Sequence, residues 1–185
     1  MKRFINILIP IIFILFVYAS MYNVIVNQES TKIIISIVGT IVFGIINIIM
    51  AIIYTTKKDK KSLLLTGTLL KSIMISGYIF IFFIATGIVA LLTIFIGFFS
   101  LLTAIPVVIF DYFVLLVTSS YIIGYLIVDK KPTNIIHGIL QFIFVLDVFD
   151  MLFICFFKEK KHRLLTIVII IMSIIIPYLM YRYLI

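Results

Sequence analysis

The chain contains no tryptophan, a single cysteine, four prolines and only seven acidic residues among 185. One cysteine, Cys155, rules out an intramolecular disulfide and any cysteine-built metal cluster. Within its apolar surroundings the thiol reads as a small packing residue. Charged residues make up 12% of the chain, too few to cover the surface of a soluble domain of this length. What fills the sequence instead is Ile, Leu, Phe and Val, with 65% hydrophobic residues and a mean hydropathy of +1.39. These are the residues that favour insertion into a bilayer. Without Trp, an interfacial aromatic belt has to be built from Tyr, and Tyr18, Tyr22, Tyr54, Tyr78, Tyr178, Tyr181 and Tyr183 lie near ends of apolar runs.

The net charge of +8 is concentrated in short loops. No basic stripe interleaved with aromatics faces water, so nucleic-acid binding is excluded as a reading. Basic loops beside apolar runs are topology signals and contacts for anionic lipid headgroups. The expected fold is an all-α, polytopic transmembrane helix bundle forming one domain over residues 1–185, multi-pass in a cell membrane.

Six spans are expected, at about 4–26, 33–54, 77–98, 105–128, 135–157 and 164–185. The first begins after Lys2 and Arg3 and also has the layout of a signal peptide, ending in Val17-Tyr18-Ala19 before Ser20, although its apolar run continues to spanning length. Pro10 causes a kink at most. The second carries Ser36, Thr40, Gly44, Asn47 and Ala51, a small-residue seam for close helix approach. Residues 62–76 read as a short interfacial or half-inserted helix with Thr68, Lys71 and Ser72 along one side. A tight turn is expected at Phe99 to Ala104, with Pro106 in the first turn of the next span. No internal repeat is visible.

With six spans and the N-terminus inside, nine Lys and Arg lie inside and five outside, and the basic loop Lys158 to Arg163 falls on the wrong side. Seven spans, with three crossings between 62 and 128, give ten against four. Either that stretch crosses three times, or the segment Ile135 to Phe157 does not cross simply.

That segment is the most informative part of the chain, because it carries Asp147 and Asp150 inside an apolar run. Two aspartates at membrane depth cost about 5–7 kcal/mol, against about 5–10 kcal/mol returned by the apolar residues around them. The segment is marginal by itself and must face protein. On a continuous helix the two aspartates lie about 60° apart, and His137 and Gln141 form a second cluster toward the N-terminal end. Two close acids in low dielectric resist sharing two negative charges unless a cation is near. Lys71, Lys158 and Arg182 are candidate partners. Lys71 alternatively snorkels to the headgroups or pairs with Asp111, which either joins the cluster or sits near the interface. The candidate intramembrane polar cluster is therefore Asp147, Asp150, Gln141, His137, Asp111 and Lys71.

Sequence signatures of zinc proteases, serine hydrolases, P-loops and intramembrane proteases are absent, and His137, Asp147 and Asp150 do not place three ligands on one helical face. No catalytic residue, metal or cofactor is expected.

Two stretches, Leu69-Leu70-Lys71 followed by Ile75-Ser76-Gly77-Tyr78, and Gly138 to Asp147 running into Lys158-Glu159-Lys160-Lys161, resemble a family of small uncharacterised membrane proteins of low-GC Gram-positive bacteria. The resemblance covers roughly Leu63 to Thr166. It implies that Lys71, Gln141 and Asp147 occupy pattern positions, Asp150 less clearly so. The family pattern has Ile-Pro and then an aromatic where this chain has Ile75-Ser76-Gly77, so a proline-defined helix break after Lys71 does not carry over. No activity carries over either.

The expected function is thus a small non-enzymatic integral membrane protein of accessory role, its acids held in contacts between helices or with a partner subunit or second copy. The alternatives are a proton- or cation-coupled transporter using Asp147 and Asp150, and a self-immunity protein against a membrane-active peptide.

Overall fold

The structure, a computed structural model, describes residues 2–96, 99–143, 146–158, 167, 171 and 175. Among these residues all regular structure is helical. The elements are α1 (Lys2–Tyr22, prolonged by a π-helical turn Asn23–Asn27), α2 (Ser30–Thr56), α3 (Lys60–Ile96), α4 (Phe99–Asp129), α5 (Asn134–Leu140) and α6 (Leu146–Phe153, prolonged by a π-helical turn Ile154–Lys158). The expected span 164–185 and most of the loop 158–163 lie outside the described residues, except that Ile167, Ile171 and Ile175 are helical and exposed.

Helix α2 is inside out relative to a soluble helix. Its buried residues are Ser36, Thr40, Gly44, Asn47, Ala51 and Tyr54, while Ile34, Val38, Ile41, Ile45, Ile49 and Ile52 are exposed. In water the opposite stripe would be buried. The small-residue seam serves two partners in turn. Near its start Thr40 Oγ1 lies 3.2 Å from Ser20 Oγ of α1. Further along, Tyr121 of α4 donates to Asn47 Oδ1 at 3.0 Å. Between them Gly44 lets α4 approach: a Cβ there would stand 2.6 Å from the Phe113 ring. The helices α2 and 105–129 of α4 are each long and apolar enough to cross a bilayer.

Helices α3 and α4 run antiparallel. Lys60 pairs with Asp129 at 2.8 Å, Lys71 donates to Ser119 at 3.2 Å, and the Tyr78 and Thr118 hydroxyls share a hydrogen bond further on. The described residues of 60–129 therefore form two long helices, not three, and the start of α3 meets the end of α4. This corrects three expectations. The stretch 62–76 is the first part of α3, whose sequence from Lys60 to Ile96 holds no proline to break it. Leu63, Leu64, Leu70 and Met74 bury it in the bundle core, so it is not interfacial. Phe99 to Ala104 is helical, which puts Pro106 inside α4 and not in its first turn. Tyr54 and Tyr78, expected in an aromatic belt, are buried.

The largest departure concerns Ile135 to Phe157. In a continuous helix, residues 137 and 150 would be about 19 Å apart along the axis. Here the His137 ring and the Asp150 carboxylate share a hydrogen bond, and Gln141 Nε2 donates to Asp150 at 2.5 Å. The segment folds back on itself as a helical hairpin. Its first arm, α5, runs antiparallel to α4: Asn134 donates to the Leu126 carbonyl at 2.8 Å, and the Gln141 carbonyl accepts from Ser119 at 2.8 Å. Its second arm returns along α3, with Asp147 opposite Lys71 and Cys155 Sγ 3.2 Å from Thr68 Oγ1. Both ends of the hairpin lie toward the Lys60–Asp129 end of the bundle.

Candidate functional site

The polar centre of the molecule lies at the tip of the hairpin. Lys71 enters from α3, and its side chain and that of Asp147 are both 0% exposed. Its ammonium reaches three acceptors: Gln141 Oε1 at 2.5 Å, Asp147 Oδ2 at 2.7 Å and Ser119 Oγ at 3.2 Å. An ammonium has three hydrogens, so its donor capacity is filled. The acceptors come from the hairpin and from α4. One buried cation thereby ties α3, α4, α5 and α6 together.

Ser119 does two things. It accepts from Lys71 and donates to the backbone carbonyl of Gln141, where α5 has ended. A carbonyl freed at a helix end needs a partner when water is absent, and Ser119 supplies one. The sequence reading missed this residue. The visible signal was the run Thr118-Ser119-Ser120, three hydroxyls in an otherwise apolar stretch.

Gln141 bridges the Lys71 ammonium and the Asp150 carboxylate. Its carbonyl oxygen faces Lys71 and its amide nitrogen faces Asp150 Oδ2. Asp150 Oδ1 in turn meets His137 Nδ1, and the His137 ring stacks on Phe153 with centroids 5.8 Å apart. The network thus runs Asp147, Lys71, Gln141, Asp150, His137. Exposure rises only at its end: the His137 side chain is 13% exposed and that of Asp150 2%. One acceptor is left over, since Asp147 Oδ1 is buried with no hydrogen-bond partner among the described residues.

Five of the six residues expected in the cluster are therefore joined in one network. Asp111 is the exception. It lies eight residues before Ser119 on α4, about 12 Å along the helix axis and away from the network. It is half-buried, with Oδ1 unpartnered among the described residues. The pairing of Lys71 is with Asp147, and neither snorkelling nor a bond to Asp111 describes it. His137 and Gln141 do not form a cluster separate from the acids, because the hairpin superposes the two. Among the described residues no group of three or more His, Cys, Asp or Glu converges in a way that could hold a metal ion.

A second polar cluster closes the end of the bundle where the hairpin begins. Asp129, the last residue of α4, binds Lys60 at 2.8 Å and Lys131 at 3.3 Å, which joins the start of α3 to the loop after α4. Asp59 caps α3, accepting from Ser62 N at 3.1 Å and from Ser62 Oγ at 2.7 Å. The Ser62 hydroxyl is the main reason its carboxyl is held below the ordinary carboxylate range.

Comparison with known proteins returns one family. Residues 1–163 match the family of unknown function DUF6652, and the chain belongs to that family. No curated protein and no solved structure matches it.

Proposed function

We propose that this member of the family is a non-enzymatic, multi-pass membrane protein in which α5 and α6 form a re-entrant hairpin, latched at mid-depth by Lys71. The exposed Ile and Val face of α2 supports the membrane setting, since a bilayer covers it at no cost and water does not. Lys71 lies eleven residues into α3, about 16 Å from its start, close to the middle of a hydrocarbon layer about 30 Å thick. Non-helical backbone is tolerated at that depth only where protein satisfies it, and the Ser119 bond to Gln141 meets that condition.

A hairpin that returns to its own side also removes the charge conflict in the sequence. The pair at 2–3, the four of 57–61, the two of 129–131 and the four of 158–163 then share one face, twelve Lys and Arg in all. Lys32, between α1 and α2, remains for the other. By the positive-inside bias the face of twelve is cytoplasmic. Among the described residues α1 to α4 then cross four times, and α5 and α6 form one re-entrant hairpin.

The observation that carries the functional reading is the fully buried Lys71–Asp147 pair, its ammonium saturated by three acceptors. A cation with no free donor and no solvent path is built to hold, and the chain acts as a closed accessory subunit of the membrane. Purified protein in sealed vesicles tests this. Vesicles containing it should pass protons and alkali cations no faster than empty ones. A flux that disappears in folded Asp147→Asn or Asp150→Asn protein would overturn the reading in favour of coupled transport. That second reading draws on one observation, the partly exposed His137–Asp150 end of the network.

A further inference from the structure

The Lys60–Asp129 end of the bundle carries two helix caps of the same unusual kind. Helix α2 closes in a Schellman motif: the Lys58 N–H donates to the Thr55 carbonyl at 3.1 Å and the Asp59 N–H to the Tyr54 carbonyl at 3.0 Å. Helix α4 closes in the simpler left-handed cap, with the Lys130 N–H donating to the Leu126 carbonyl at 3.3 Å. Lys58 and Lys130 each have a φ of 54°. Glycine is the usual residue at that step, and asparagine the next, because a Cβ is crowded there. Lysine at both positions keeps a long cation where the backbone favours none.

The two caps are held side by side. Gly124 of α4 sits against Thr55 of α2 and Leu63 of α3, so close that a Cβ there would collide with the Thr55 hydroxyl. The acids at this end are used in the scaffold. Asp129 holds Lys60 and Lys131, its side chain only 6% exposed, and Asp59 caps α3. Lys57, Lys58 and Lys130 are exposed and have no ion pair among the described residues, and Lys61 is exposed beside Asp59. Within two turns of these lysines, Ile52 of α2 and Ile127 of α4 are more than half exposed.

We propose that Lys58 and Lys130, with Lys57 and Lys61 beside them, bind the phosphate of an anionic phospholipid whose acyl chains run along Ile52 and Ile127. The cations complement the headgroup, and the apolar surface next to them has no use for a soluble anion. The attraction of each helix C-terminus for cations does not account for the pair, since Lys57 and Lys131 already stand at those ends. The site rests on the membrane setting proposed above and adds a lipid class to it.

The test is native mass spectrometry of the full chain released from detergent micelles that carry equal amounts of phosphatidylglycerol and phosphatidylcholine. Wild type should retain phosphatidylglycerol in preference. Lys58→Asn/Lys130→Asn protein should lose that preference by about 10–30-fold, since each lysine beside an anionic headgroup is worth about fivefold. Asparagine suits the left-handed cap, so the variant should melt no lower than wild type. Lys58→Gly/Lys130→Gly gives the same readout if the asparagine variant fails to fold, and Lys58→Arg/Lys130→Arg should keep the preference. Equal retention of the two lipids by wild type, or an undiminished preference in the folded asparagine or glycine variant, overturns the proposal. Inorganic phosphate at the lipid concentration should not displace phosphatidylglycerol; displacement would assign the site to a soluble anion and overturn it too. Alkaline carbonate extraction of cell membranes separates the underlying reading. Release of the chain overturns the membrane setting and the site together, whereas a retained chain without lipid preference overturns the site alone.

Discussion

Gln141 Nε2 and Asp150 Oδ2 lie 2.5 Å apart, although nine residues of continuous helix would separate them by about 13 Å. This one contact turns a stretch that reads as a membrane span into a hairpin. It also joins four polar side chains of one segment into a network with a lysine from another, which Gln141 and Asp147 bind directly.

The latch predicts a strong asymmetry between single and double substitutions. Lys71→Met alone leaves two buried carboxylates without their cation, and Asp147→Leu alone leaves a buried ammonium short of its charged partner. Each should destabilise the purified protein by about 3–5 kcal/mol. The double variant Lys71→Met/Asp147→Leu should recover most of that loss, since a buried ion pair replaced by apolar side chains is often neutral. Thermal unfolding in detergent, followed by circular dichroism, measures all three. Additive losses in the double variant would mean that the two residues do not act as a pair.

Close approach of α2 to α4 depends on the missing side chain at Gly44. A Cβ there meets the Phe113 ring at 2.6 Å and Val117 at 3.1 Å. Gly44→Leu should therefore cost about 1–3 kcal/mol by overpacking. Gly44→Leu combined with Phe113→Ala should regain part of it. Val38→Leu, on the exposed face of α2, serves as the control and should change little.

Asp59 gives a pH dependence with a definite sign. Its carboxyl is held below the ordinary range chiefly by the Ser62 hydroxyl, and further by the Ser62 backbone N–H. A depressed folded-state value means that its stabilisation is complete above the unfolded carboxyl range and is lost as pH falls through the folded value. Asp59→Ala should destabilise α3 by about 0.5–2 kcal/mol at neutral pH, the usual range for a lost helix cap. The difference from wild type should shrink in acid. Melting temperatures of the two proteins across the acid range check this, and a gap that widens toward low pH would contradict it.

The residue types at the site were legible from sequence, and their arrangement was not. Lys71, Gln141, Asp147, Asp150 and His137 stand out because each is polar within an apolar run, and desolvation alone requires that they find partners. The seam of α2 was legible for the same kind of reason, from the four-residue spacing of small side chains. The fold of 135–157 was hidden because Phe142 to Leu146 is uninterrupted hydrophobic sequence, with no Gly or Pro to mark a turn. The signal for the turn lay elsewhere, in the misplaced charges of 158–163 and in the Ser119 hydroxyl that satisfies the Gln141 carbonyl. Neither is local to the turn, so periodicity could not report it. Asp111 shows the converse: its residue type suggested membership, and its position eight residues from Ser119 on α4 excludes it from the contacts.

The re-entrant hairpin is the claim on which the rest depends, and substituted-cysteine labelling in intact cells tests it most directly. In a Cys155→Ala background, single cysteines at Lys58, Lys130 and Lys160 should all resist a membrane-impermeant thiol reagent and label only after the cytoplasmic face is opened. Lys32→Cys should label from outside. Labelling of Lys160→Cys from outside, with Lys130→Cys still protected, would mean that residues 135–157 cross the membrane, and the account would fail.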